Sequence, residues 1–264
     1  MFSNSSADSW KMWTEQNKAS RITSYLGPIF EKLTIKVPSD IIHTVSQATK
    51  DDILKVKRNS KVVVIPLGID LSLYNSKIHQ TEFQKFVLFI GRLVYYKNLN
   101  VIISYFGDVV KKLPVAKLVI VGDGPMRQQW QILTHEKGLD SNIEFMGYVS
   151  QQRKIELLSK CSALLLPSTF EGFGLVVLES FAMSKPVLVA DVGPLDEIVS
   201  NGEDGYLIPL GDQSTWTRRI TEILSDEDLC RKMGEFGRRT VEDKFNINTF
   251  VEKIEDLYKS FSKS

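Results

Sequence analysis

Two glutamates eight positions apart frame the stretch of this 264-residue chain that is best equipped for chemistry, Pro167-Ser168-Thr169-Phe170-Glu171-Gly172-Phe173-Gly174-Leu175-Val176-Val177-Leu178-Glu179. A carboxylate accepts two hydrogen bonds at once, which suits the paired hydroxyls of a ribose or hexose. The Gly-Phe-Gly segment exposes backbone amides where the pattern turns helical, and a helix start of that kind favours phosphate. In the other reading, Glu171 caps the helix and Glu179 is an exposed helical residue. The position of the pair, directly after an apolar strand, favours the binding reading.

Two further stretches sit at equivalent points. Gly91-Arg92-Leu93, with Lys97 close behind, follows a predicted strand and puts two cations near its end. Cations there suit a diphosphate leaving group, whose growing charge must be neutralised during transfer; the same residues also read as a basic solvated loop. Val121-Gly122-Asp123-Gly124-Pro125 again links a strand to a helix, where Gly122 and Gly124 serve either phosphate binding or the turn itself.

The elements that must position these stretches form a regular series. Apolar runs at Phe86–Ile90, Leu118–Val121, Ile143–Met146, Ala163–Leu166, Val187–Ala190 and Tyr206–Ile208 read as strands. Helical periodicity fills the gaps at Asn98–Lys111, Met126–Lys137, Gln151–Ser159 and Gly174–Met183, with a short helix near Asp196–Val199. Strands so continuously apolar are buried on both faces, which predicts an α/β fold with a Rossmann-like, doubly wound parallel sheet. Three helices follow, at Gln213–Leu224, Glu227–Lys244 and Asn246–Phe261. The last carries Ile247, Phe250, Val251, Ile254, Leu257, Tyr258 and Phe261 as a stripe expected to pack into a core. The first 75 residues differ: a helical region at Trp10–Leu33, a strand at Ile41–Val45, a helix at Ala48–Lys57 and a strand at Val62–Ile65. That is too little for a complete sheet domain. The stretch from Pro66 to Gln84 reads as a linker.

Taken in order, these stretches resemble glycosyltransferase family 4, the retaining glycosyl transferases group 1 with the GT-B fold. Glu171 and Glu179 match its EX7E motif; Gly91-Arg92 with Lys97, Val121–Pro125, Pro186-Val187 and Asp204-Gly205-Tyr206-Leu207-Ile208-Pro209 match its surroundings. Val45-Ser46 and Ile65–Asp70 resemble the end of that family's N-terminal domain. The resemblance implies transfer of a hexose from a UDP- or GDP-sugar to a glycan or lipid-linked acceptor, with retention of the anomeric configuration and no metal. It assigns Arg92 and Lys97 to the donor diphosphate, Glu171 to the donor sugar and Glu179 to the ribose. Gly91, Gly122, Gly124, Gly172, Phe173, Gly174 and Leu175 would line the donor site, with the amides of the last three on sugar and phosphate.

The chain departs from that pattern in places. Ser184 stands where a glycine is usual before Lys185-Pro186, and Gly193-Pro194-Leu195-Asp196-Glu197 replaces a Gly-Gly-x-Pro-Glu-like turn. The expected division is a remnant of the N-terminal, acceptor-side domain at 1–75, a donor domain at 76–241 and a crossover helix at 242–264. The resemblance implies that the acceptor site, a Gly-rich loop and often a catalytic histidine belong to the absent part; His43, His79 and His135 match no such motif. The competing function is a catalytically incomplete donor-binding chain, whose partner supplies the N-terminal domain.

Bulk properties exclude several classes. Lys and Arg number 33 against 32 Asp and Glu, so no net field points to nucleic acid. Cys161 and Cys230 match no metal or redox spacing and are expected as buried thiols. Asp226-Glu227-Asp228 has a metal-binding Asp-x-Asp spacing, but at a predicted helix start its acids serve the helix dipole. No run reaches the length of a membrane span and Met1–Asp8 is no secretion signal, so the expected location is cytoplasmic. Lys11, Lys18 and Arg21 leave open a peripheral contact with a membrane surface.

Overall fold

Apolar runs of four or five residues are stable as strands only when helices cover both faces, and this rule organises most of the chain. The computed structural model describes residues 33–74 and 84–261, with Leu26 and Ile29. It divides the chain into two units, Met1–Leu67 with Phe250–Ser264, and Gly68–Thr249.

In the first unit, β1 (Ile42–Thr44) and β2 (Val62–Val64) are parallel, with Ile42 opposite Val62 and Thr44 opposite Val64. Between them runs α1 (Gln47–Val56), whose only buried residue is Ile53. Ser46 caps α1, accepting the Thr49 amide at 3.1 Å. The helical region expected at Trp10–Leu33 lies outside the described residues except for Leu26, Ile29 and Leu33. Lys11, Lys18, Arg21 and His79 lie outside them too.

The second unit is built on six parallel strands: β3 (Phe86–Ile90), β4 (Lys117–Val121), β5 (Ile143–Gly147), β6 (Ala163–Leu166), β7 (Val187–Ala190) and β8 (Gly205–Ile208). Their order in the sheet is β5-β4-β3-β6-β7-β8. Register runs from Phe86 opposite Lys117 between β3 and β4, and from Leu164 opposite Val187 between β6 and β7. The expected helices are α2 (Leu99–Lys112), α3 (Arg127–Glu136), α4 (Gln151–Lys160), α5 (Leu175–Ala182), α6 (Gln213–Ser225) and α7 (Glu227–Lys244). Trp130, Trp216, Phe89 and Phe106 are fully buried around the sheet. Both thiols are buried, as their sequence context suggested, and burial pushes each up to about 12.

Three expectations change in detail. The short helix near Asp196–Val199 is a 3-10 turn at Gly193–Glu197, opened by Pro194. Two more such turns, Leu71–Leu73 and Tyr95–Lys97, were not foreseen. The apolar stripe of the last helix, α8 (Ile247–Phe261), is not core packing: none of the helix is buried, and Val251, Tyr258 and Phe261 are exposed. The described part of its unit offers two three-residue strands, the helical residues 33–36 and α1, too little apolar surface to bury the seven residues of the stripe.

The departure at Ser184 leaves the local backbone as a glycine would set it. Ser184 has φ +55°, in the left-handed region. Its amide donates to Phe181 O at 2.9 Å, and the Lys185 amide donates to Ser180 O at 3.0 Å. These two bonds close α5 as a Schellman motif, with serine at the position that favours glycine. Asp226 caps α7 by accepting the Leu229 amide at 2.9 Å, and Asp228 pairs with Arg231. That is the role expected for acids at a helix start.

Candidate functional site

The order of the strands places the site. From β3 the chain adds β4 and β5 on one side; β6, next to β3 on its other side, is followed by β7 and β8 going the opposite way. The carboxyl ends of β3 and β6 therefore flank the point where the winding reverses, which is where open α/β sheets bind ligands. Gly91, Arg92 and Lys97 follow β3, and Pro167–Gly174 follows β6.

These two loops are stapled together. Tyr96 O accepts both the Thr169 amide, at 2.8 Å, and the Thr169 hydroxyl, at 3.1 Å. The Tyr96 and Phe170 rings meet edge to face with centroids 6.3 Å apart. Lys97 Nζ donates to Glu171 Oε1, and the buried Ser168 hydroxyl donates to the same oxygen at 2.6 Å. Burial, reinforced by the Glu171 charge and opposed by Arg92, raises the Tyr96 phenol above its usual value. Arg92 itself is exposed, and among the described residues it forms no salt bridge.

The second glutamate repeats the pattern. Glu179 lies on α5 and is itself largely covered. Its Oε1 accepts from the Tyr74 hydroxyl at 2.9 Å and from Lys154 Nζ at 2.6 Å. Tyr74 is only 3% exposed. Burial first, then the Glu179 charge, pushes its phenol well up, so it remains a donor. In both glutamates a lysine and a hydroxyl occupy one oxygen, and Oε2 accepts from no described residue.

Backbone amides separate the predicted donor-site residues into two groups. The Gly91 amide donates to Val121 O at 3.0 Å and that of Gly122 to Gly147 O at 2.8 Å. The Gly124 amide donates to Asp123 Oδ1 at 2.7 Å. The three glycines lie in a seam between the loops after β3 and β4, which is bonded by the Leu93 amide donating to Asp123 O at 2.9 Å and the Met126 amide to Leu93 O at 3.0 Å. A Cβ on Gly122, at φ +126°, would stand 1.9 Å from Gly91 O, and one on Gly124 would stand 2.4 Å from Leu93 O. By contrast, the amides of Gly172, Phe173, Gly174 and Leu175 donate to no described residue. They form the unsatisfied start of α5, where the positive end of the helix dipole adds to their pull on an anion. Gly174, at φ +95°, makes the sharp entry into the helix and would meet Leu195 at 2.8 Å if it carried a Cβ. The Phe173 ring turns the other way, edge-on to Phe245 with centroids 6.1 Å apart.

The structure thus brings Arg92, Lys97, Glu171, Gly172, Phe173, Gly174, Leu175 and Glu179 to one edge of the sheet, and gives Gly91, Gly122 and Gly124 to the seam beside it. Tyr74, Lys154 and Ser168 were missed. Ser168 stood inside the quoted stretch, whereas Tyr74 fell in the expected linker and Lys154 on an ordinary charged helix, so nothing local marked either one. His135 is exposed beside Asp140, and His43 lies beside Ile65 O. Among the described residues no cluster of three metal-ligating side chains occurs.

Residues 75–240 match the family Glycosyl transferases group 1. The chain belongs to this family. Among its relatives is the N-acetyl-alpha-D-glucosaminyl L-malate synthase of Bacillus anthracis, 29% identical over 83% of this chain and 59% of that one. Among solved structures, sucrose-phosphate synthase from Thermosynechococcus elongatus superposes with a TM-score of 0.80 at 25% identity, covering 89% of this chain and 62% of that one. Anabaena HepE, solved in complex with UDP, shares the fold with a TM-score of 0.75 at 21% identity, over 84% of this chain and 64% of that one. The chain spans less than two thirds of the length of each of these three. The parallel six-stranded sheet is that of the GT-B neighbours. No helix among the described residues is long and apolar enough to cross a membrane.

Proposed function

We propose that this chain binds a UDP- or GDP-sugar at the carboxyl ends of β3 and β6 and acts, as family 4 enzymes do, in retaining transfer of its hexose to a glycan or lipid-linked acceptor. The observation that carries the reading is the convergence of unbonded amides, an unpaired cation and two oriented carboxylates at the reversal point of the sheet. Arg92 and the amides of Phe173, Gly174 and Leu175 bind the diphosphate. Lys97 contributes as well, because an ammonium has three donors and Glu171 takes one of them. Glu171 Oε2 accepts from the donor sugar's hydroxyls, and Glu179 from the ribose.

In the transfer, the bond between the anomeric carbon and the phosphate oxygen breaks while the acceptor oxygen bonds to the same face of that carbon. The acceptor's proton passes to the departing phosphate oxygen. Arg92, Lys97 and the start of α5 stabilise the charge that develops on the diphosphate, which is the part a metal ion plays elsewhere.

Calorimetric titration of the chain with UDP and GDP tests this reading. Binding of at least one is expected; Arg92→Ala should abolish it and Glu179→Ala should weaken it tenfold or more. Failure of the unaltered chain to bind either nucleotide, or unchanged binding in both variants, would refute it.

A further inference from the structure

Glu171 and Glu179 are held alike, but by residues of different origin. The partners of Glu171, Lys97 and Ser168, come from the two loops that form the site. Those of Glu179 come from outside: Tyr74 precedes the first strand of the sheet and Lys154 lies on α4. Side-chain exposure is 18% for Lys154 and 17% for Glu179, so the pair is shielded from most solvent screening. Tyr74 is in turn fixed by its surroundings. Arg238 Nη1 donates to Tyr74 O at 3.1 Å and to Ala182 O at 2.5 Å, tying the tyrosine backbone to the end of α5. Gln151 approaches the phenol oxygen at 3.4 Å.

A carboxylate oxygen has two lone pairs, and two donors on Oε1 fill both. Glu179 therefore offers a ligand one oxygen, Oε2, on a side chain that no longer has to be ordered when the ligand arrives. We infer that Tyr74 and Lys154 are positioning residues, which fix Glu179 so that Oε2 reads the hydroxyls of the ligand's ribose. The inference rests on the proposed nucleotide-sugar site and adds the residues that set its preference for ribose over deoxyribose.

The test compares full-length chains by calorimetry with two ligands, the ribonucleoside diphosphate that binds (UDP or GDP) and its 2′,3′-dideoxy analogue. The unaltered chain should favour the ribonucleotide by tenfold or more. In Lys154→Met and Tyr74→Phe the ratio of the two dissociation constants should fall roughly five- to tenfold. The dideoxy affinity, which does not pass through Glu179, should be retained and so reports that the variants are folded. Lys154→Arg, which keeps a donor cation, should restore much of the ratio. An unchanged ratio in both variants, an equal loss of affinity for both ligands, or no preference in the unaltered chain would overturn the inference. Absence of binding to any nucleoside diphosphate would instead refute the proposed function.

Discussion

Replacing Gly122 by alanine should disrupt the seam between the loops after β3 and β4 while leaving Arg92, Lys97, Glu171, Glu179 and the start of α5 unaltered in the sequence. The added Cβ would stand 1.9 Å from Gly91 O and 2.9 Å from the Gly91 carbonyl carbon. A backbone atom cannot swing aside as a side-chain tip can, so β3's loop must move. The φ of +126° is also one that L side chains rarely adopt. Backbone strain of about 1–3 kcal/mol and overpacking of about 1–3 kcal/mol together give a loss of about 2–6 kcal/mol. A central loss near 4 kcal/mol lowers the melting midpoint of a unit this size by about 8–16 °C. Urea denaturation followed by circular dichroism gives the free energy directly. Gly172→Ala is the control, because no atom lies within 4 Å of its built Cβ; its midpoint should stay within about 0.5 kcal/mol. Equal stability of the Gly122 and Gly172 variants would refute the reasoning.

Four further outcomes follow. Cys161 and Cys230, buried and pushed up to about 12, should resist a thiol reagent at pH 8 in the native protein and both react once it is unfolded. Because the usual value is 9.0, the native state keeps protons that the unfolded chain loses between 9 and about 12, so stability should fall as pH rises through that window. Ser184→Gly should stabilise the fold by up to about 1 kcal/mol in urea denaturation, because glycine adopts the φ of +55° without a Cβ penalty. Asp226→Ala should cost about 1 kcal/mol through loss of the α7 cap, with nucleotide binding unchanged in calorimetry.

Much of the second unit was legible because its strands are buried on both faces. Phe86–Ile90, Ala163–Leu166 and Val187–Ala190 are uniformly apolar and have the boundaries their composition implies. The site's two loops were legible through residue types with a specific chemical use, namely paired carboxylates, adjacent cations and glycines at a helix start. What escaped were contacts made by topology. Lys154 looks like any solvated helical lysine until the sheet brings α4 beside α5, and Tyr74 gains its role only from a fold that buries this residue of the expected linker. The glycines of Val121–Pro125 were ambiguous for the same reason, since only the approach of Gly91 O tells a seam from an open phosphate cradle. The final helix misled because an apolar stripe records what a helix is able to bury, and the described part of its unit buries none of it.

The central claim is that the start of α5, beside the ends of β3 and β6, holds the diphosphate of a sugar nucleotide. Residue-resolved amide hydrogen exchange, with and without saturating UDP or GDP, tests it most directly. The amides of Phe173, Gly174 and Leu175 should gain protection, while those of Gly91, Gly122 and Gly124, already bonded within the chain, should change little. Protection at Gly122 and Gly124 with none at Phe173–Leu175 would contradict the account.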